Sequence, residues 1–109
     1  MRGFAACHGY IIGKAFLINR KSDIYKKEIP KDAILIAKEA DPDLFIHFDK
    51  IKGIVTDQGG ITCHVASLTR EFCIPCVVGT KNATQVIRDG DLIELDASNA
   101  IVKILNTNN

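Results

Sequence analysis

His64 stands where a phosphate-bearing side chain would be well placed. The run Gly59-Gly60-Ile61-Thr62-Cys63-His64 sets it just after a Gly-Gly turn, and Cys63 to Phe72 reads as a helix. A helix start offers unpaired N–H groups and a partial positive charge, so it favours an anion. A neutral imidazole there can accept a phosphoryl group and hold it. Such transfer needs a neutral ring with one nucleophilic nitrogen, donors for the phosphoryl oxygens, and a surface that two different active sites can reach. The helix dipole serves the first two needs. It disfavours imidazolium and favours the added charge by about 0.3–1 kcal/mol per charge at an exposed site. Thr62 offers a hydroxyl donor and an N-cap. Gly59 and Gly60 let the backbone approach a phosphate with no side chain in the way. Arg70 lies six residues beyond His64. That is nearly two helical turns, which suits contact with a substrate or partner better than with the same phosphate. The candidate site is therefore His64, with Thr62, Gly59, Gly60, Cys63 and Arg70 in support.

Blander readings compete with this one. A helix-start histidine also packs or hydrogen-bonds locally with no chemistry at all. Cys63, His64, Cys73 and Cys76 have a zinc-like look. Adjacent helical residues splay by about 100°, however, and Cys76 enters a strand, so no metal is expected. A redox role for Cys73-x-x-Cys76 is disfavoured too. A redox pair gains from a helix N-terminus, which lowers thiol pKa, and this pair follows a helix end. The cysteines, Cys7 included, read as free, partly buried thiols, with Cys73 and Cys76 as small core residues. His8, in a turn, and His47, in a short helix, read as structural or solvated. Asp57 either orients His64 or caps its loop, and capping is the commoner role.

The elements that position these residues follow from the hydrophobic pattern. Tyr10 to Ile18 reads as a strand, and Ile24 to Ile29 as a short charged edge strand ending at Pro30. Ala33 to Ala37 is a strand buried on both faces. Asp41 and Pro42 open a short helix through Phe48, as N-cap and first helical residue. Ile51 to Asp57 is another buried strand, broken by Gly59-Gly60. In the following helix Val65, Leu68 and Phe72 form one apolar face, with Arg70 and Glu71 pointing elsewhere. Cys76 to Val78 is a short strand, Ala83 to Ile87 one helical turn, and Asp91–Leu95 and Ile101–Leu105 a hairpin turning at Ala97 to Ala100. Asn106 to Asn109 is a frayed tail. Strands and helices in this order predict an α/β layered domain, with the Gly-Gly turn at the carboxyl end of a strand, where such folds gather their sites.

Composition adds bounds. The chain has 109 residues, 47% hydrophobic and 25% charged, with 14 basic and 13 acidic residues for a net charge of +1. That length reads as a single domain over residues 1–109. So balanced a charge offers no footprint for nucleic acid or an anionic membrane. No apolar run approaches the roughly 18 residues of a membrane span, and no signal-peptide pattern follows Met1. The expected location is cytoplasmic.

The segments Thr56 to Ala66, Thr69-Arg70-Glu71 and Ile74 to Thr80 together resemble the phosphohistidine "swivelling" or mobile domain of phosphoenolpyruvate (PEP)-utilising enzymes. The Thr-Cys-His form resembles that of the phosphoenolpyruvate synthase branch of the family. Gly9 to Ala15, Ala33 to Pro42, and the closing hairpin with Asp89-Gly90-Asp91 extend the resemblance over nearly the whole chain. It implies a layered β/β/α swivelling fold. It also implies a phosphotransferase, kinase-like partial reaction in which the distal ring nitrogen of His64 is phosphorylated. The phosphate would pass between a nucleotide-binding domain and a PEP/pyruvate-binding domain, in cis or in trans. Thr62 matches a position modified by a regulatory kinase in some members. Mg and ATP or PEP would belong to the partner domains, with no cofactor bound here. The chain departs from the family pattern at Cys73, which replaces a glycine, at Cys76, which replaces an alanine, and at Ser98-Asn99-Ala100, which lacks a glycine. Each departure bears on packing more than on chemistry. No nucleotide or barrel domain fits in this length, so the chain is not a complete enzyme alone. The rival expectations are an unphosphorylated swivelling module that binds or regulates, and a small Cys/His metal domain.

Overall fold

The computed structural model describes residues 1–18, 29–39, 50–60 and 63–106, with the backbone alone for Cys63 and His64. Its elements are β1 (Phe4–Cys7), β2 (Tyr10–Ile18), β3 (Ala33–Ala37), β4 (Ile51–Thr56), α1 (Cys63–Glu71), β5 (Cys76–Val78), α2 (Ala83–Val86), β6 (Leu92–Asp96) and β7 (Ile101–Asn106). Among the described residues the strands form one seven-stranded sheet in the order β1-β5-β4-β3-β2-β6-β7. The centre, β2-β3-β4-β5, is parallel. β1 joins β5 antiparallel, and β6 and β7 extend β2 antiparallel.

Burial explains the parallel centre. β3 is Ala-Ile-Leu-Ile-Ala, buried at every position, as a strand covered on both faces must be. Its alternate residues feed two separate cores. Ala33, Leu35 and Ala37 join Ile54, Cys76 and Val78 beneath α1, which contributes Val65, with Leu68 and Phe72 packed at the margin. Ile34 and Ile36 join Val55 and Val77 on the other face, against Ile93, Leu95, Ala97 and Val102 from the closing hairpin and Ala83 and Ile87 around α2. The sheet thus curls over its second core. The curl brings its ends together: Arg2 bridges Ile101, the Gly3 N–H donates to the Ala100 carbonyl at 3.0 Å, and the Val102 N–H to the Met1 carbonyl at 2.7 Å. The result is the α/β, layered β/β/α architecture expected of a swivelling domain, a mixed half-barrel with α1 on its outer face.

Several details depart from the sequence expectation. β1 was not foreseen: Phe-Ala-Ala-Cys has no apolar alternation and is a strand through its pairing with β5. Ile29 is buried but lies outside any strand, and the rest of the expected edge strand lies outside the described residues. The expected helix from Asp41 to Phe48, with His47, also lies outside them. α1 stops at Glu71, one residue short of Phe72. β6 begins one residue later than expected, and Asn106 is held in β7 by pairing with Leu92 rather than frayed. Cys73 is exposed, not a core residue, whereas Cys76 is fully buried. Among the described residues no helix is long and apolar enough to cross a membrane.

Candidate functional site

The carboxyl ends of β3, β4 and β5 lie side by side, and the chain between β4 and α1 is tied to both neighbours. On one side the Asp57 N–H donates to the Ala37 carbonyl at 3.1 Å and the Gln58 N–H to the Lys38 carbonyl at 2.9 Å. On the other, the Gly79 N–H donates to the Gln58 carbonyl at 2.9 Å, the Thr80 N–H to the Thr56 carbonyl at 3.1 Å and the Lys81 N–H to the Asp57 carbonyl at 2.9 Å. Two hydroxyls reinforce these ties: Thr56 Oγ1 donates to the Gln58 carbonyl at 2.8 Å, and Thr80 Oγ1 to the Thr56 carbonyl at 2.9 Å. Buried backbone groups must be paired, and these pairings hold the segment that leads into the Gly-Gly turn.

Beyond Gln58 the surface opens. Gln58, Gly59 and Gly60 are all exposed. A Cβ on Gly60 would meet no described atom within 4 Å, so packing against the described residues does not require glycine there. Gly79 differs. Its φ is +73°, and a Cβ would come within 2.9 Å of the Phe4 ring and 3.3 Å of the Gly59 Cα. Phe4, 70% exposed, caps this corner from β1.

α1 starts at Cys63, with His64 as its second residue. The helix has no acidic residue in its first turn and Arg70 in its last. The positive end is therefore not neutralised by a neighbouring carboxylate of its own, and it suits an incoming anion. At the other end α1 closes in a Schellman arrangement. The Ile74 N–H donates to the Thr69 carbonyl at 2.9 Å and the Cys73 N–H to the Arg70 carbonyl at 3.3 Å, with Cys73 at φ +54°. Glycine would take that conformation without a steric penalty.

The fold gathers the sequence candidates unevenly. Gly59, Gly60 and the start of α1 converge at the strand ends, and His64 is on that helix start. Thr62 lies outside the described residues, as do the side chains of Cys63 and His64. Arg70 is exposed in the last turn, and its Nε donates back to the Ala66 carbonyl at 3.3 Å. Its Cα lies about 9 Å along the helix axis from that of His64. Asp57 has a partner the sequence did not suggest. Its Oδ1 accepts the Thr84 N–H at 2.9 Å and its Oδ2 the Thr84 hydroxyl at 2.5 Å. It caps α2, 27 residues away, and no local sequence signal links the two.

The cysteines form a separate group. Cys7 and Cys76 are register partners across β1 and β5. Burial pushes the Cys76 thiol up to about 12, with the Cys7 thiol adding to the shift. Burial also raises Cys7, with Cys73 adding and Arg70 opposing. Raised thiols are poor nucleophiles and poor metal ligands. Among the described residues no three His, Cys, Asp or Glu side chains are grouped to hold a metal. A groove of about 480 Å³ between α2 and β7, lined by Met1, Asn82, Val86, Val102 and Leu105 among others, does not include the Gly-Gly turn.

Comparison with known proteins agrees with this fold. The sequence profile of the "PEP-utilising enzyme, mobile domain" matches residues 29–100. The phosphoenolpyruvate synthase of Aeropyrum pernix is 37% identical over 102 residues, covering 94% of this chain and 12% of that protein. A Bacillus subtilis protein named an uncharacterized phosphotransferase is 37% identical over 103 residues, with the same coverage of 94% and 12%. The chain spans 12% to 15% of the length of the phosphoenolpyruvate synthases it matches, so in those proteins this domain has others beside it. The solution structure of Enzyme I superimposes with a TM-score of 0.63 at 30% identity, over 76% of this chain and 34% of that one. Aconitase X of Thermococcus kodakaraensis, at 16% identity and a TM-score of 0.74 over 96% of this chain and 97% of that one, shares the fold alone. The profile match spans β3 to the β6–β7 turn and so contains the whole Gly-Gly turn and α1: this chain belongs to the family of PEP-utilising enzyme mobile domains.

Proposed function

We propose that this domain carries a phosphoryl group on His64. The observation behind the proposal is the placement of His64 on the first turn of α1, directly after an exposed Gly-Gly turn, in a helix whose first turn has no acidic residue. Neutral His64 attacks the donor phosphorus in line through its distal ring nitrogen. The N–P bond forms as the donor P–O bond breaks, and the leaving oxygen departs with its electron pair on the partner's side. N–H groups of the helix start and of Gly60, with the Thr62 hydroxyl, stabilise the charge on the phosphoryl oxygens. The same group then passes to an acceptor in the reverse sense.

A carrier needs access more than enclosure, and the exposed turn fits that need. Mg, ATP and PEP or pyruvate belong to partner domains: a nucleotide-binding domain and a PEP/pyruvate-binding domain, in cis or in trans. A kinase acting on Thr62 would regulate the carrier by adding charge beside the phosphate. Residues 1–109 act as one mobile unit in this scheme, in the cytoplasm. In this reading Cys63 supports the site at the helix start and Arg70 meets the substrate or a partner domain.

The test is ³¹P NMR after phosphoramidate treatment of the wild type and His64→Ala. An acid-labile phosphohistidine signal in the wild type, absent from a folded His64→Ala, is the expected result. A signal that survives the substitution, or none from folded wild type, overturns the assignment and leaves a binding or regulatory module.

A further inference from the structure

We propose that Asp57 and Thr84 form a latch that positions the phosphate turn, with both acting as positioning residues rather than catalytic ones. The inference rests on the carrier reading of His64. Asp57 is the residue after β4 and lies two positions before Gly59. Its backbone is held on both sides, by the Ala37 carbonyl and the Lys81 N–H. Its half-buried carboxylate is the remaining freedom, and Thr84 takes both oxygens, one through its N–H and one through its hydroxyl. Hydrogen bonds to an ionised acceptor are short and strong, and two donors fix the direction of the carboxylate as well as its place.

The dependence is mutual. Asn82, in the N-cap position of α2, makes no side-chain capping bond. The free N–H at Thr84 is instead satisfied by a carboxylate from the β4–α1 connection. A single helical turn is weak on its own, so α2 is seated by Ala83 and Ile87 in the second core and by Asp57. In return α2 draws the Asp57 charge to its own positive end. Freed from Thr84, that carboxylate would stand two residues from the turn that must receive an anion, and its repulsion would oppose phosphorylation. The strand ladders do not depend on this contact. Cutting it therefore disturbs the turn and α2 and leaves the sheet in place.

The experiment is the rate of phosphohistidine formation with phosphoramidate, followed by ³¹P NMR. It is run on the wild type, Asp57→Asn, Thr84→Val, Thr84→Ser and the double variant Asp57→Asn/Thr84→Val, with thermal midpoints alongside. Thr84→Val, which frees the charged carboxylate, should slow formation by roughly tenfold, as loss of a supporting contact does for a positioned group, and Asp57→Asn, which weakens the contact but leaves no stray charge, should slow it by less than that but by more than about twofold. Thr84→Ser should restore the rate, and the double variant should be no slower than the slower single. A merely structural cap would lower the midpoints and leave the rates of the folded variants within about twofold of wild type, and that result overturns the latch. If Asp57→Asn does not fold, Thr84→Val decides alone, because it keeps the carboxylate and the N–H donor. Failure of the wild type to label sinks the carrier reading and the latch with it. Normal labelling in every variant sinks the latch only.

Discussion

A methyl group at Gly60 meets no described atom within 4 Å, whereas one at Gly79 meets the Phe4 ring and an unfavourable φ. The two glycines therefore predict opposite outcomes. Gly60→Ala should leave stability nearly unchanged, within about 0.5 kcal/mol, and slow phosphohistidine formation, because on the carrier reading the methyl enters space the phosphate would occupy. Gly79→Ala should cost about 1–2 kcal/mol in a urea melt, the penalty of a left-handed residue with a Cβ, since exposed Phe4 can swing aside. Cys76 gives a pH prediction. Its folded pKa is about 12 against an ordinary 9.0. Between those values the unfolded chain releases the thiol proton and the folded chain keeps it. Stability from this group is complete below pH 9 and falls as pH rises toward 12. The thermal midpoint of wild type should therefore drop more steeply over that range than that of Cys76→Ala. Parallel slopes would show that burial of this thiol does not control the alkaline limb.

At the scale of elements, α1 bears the proposed phosphate site at one end and a strained residue at the other. Cys73 occupies the left-handed position of the Schellman closure at φ +54°, where glycine has no steric penalty. Cys73→Gly should stabilise the domain by about 0.5–1 kcal/mol in chemical denaturation, the strain relieved less the added flexibility of the unfolded chain. No gain would mean that the exposed thiol and its contact with the Arg70 carbonyl, at 3.8 Å, offset the strain. The period of the apolar residues already located α1 in the sequence. Val65 is fully buried, and Leu68 and Phe72 pack at the edge of the same core, as their spacing required. The parallel strands were equally legible, because continuous apolar runs such as Ala33 to Ala37 have few other uses. β1 was not legible. Two alanines between Phe4 and Cys7 show no alternation, and β5 supplies the reason for the strand.

For the whole molecule, closure of the sheet is the tertiary event that no local pattern foretold. It rests on the bridge between Arg2 and Ile101 and on Gly3, where a Cβ would come within 2.2 Å of the Val78 carbonyl oxygen. Gly3→Ala should push the amino-terminal segment off this seam and destabilise the fold by on the order of 1–3 kcal/mol. Hydrogen exchange should then quicken at the Val102 amide, which donates to Met1, before it quickens in the buried centre of the sheet. Uniform loss of protection would show instead that the seam and the centre unfold together.

The sequence by itself determined the local matters: the helix after Gly59-Gly60, the apolar strands on either side, and the histidine at the helix start. Each depends on residues within a few positions of one another, so periodicity and turn chemistry suffice to read them. Tertiary structure alone decided the rest: the pairing of β1 with β5, the meeting of the sheet's ends, and the engagement of Asp57 by Thr84. Those contacts join residues far apart in the chain, and their partners are chosen by which surfaces the folded layers bring together. For Asp57 the sequence offered orientation of His64 or capping of its own loop, and the fold added a partner that neither reading named, the N–H and hydroxyl of Thr84 at the start of α2.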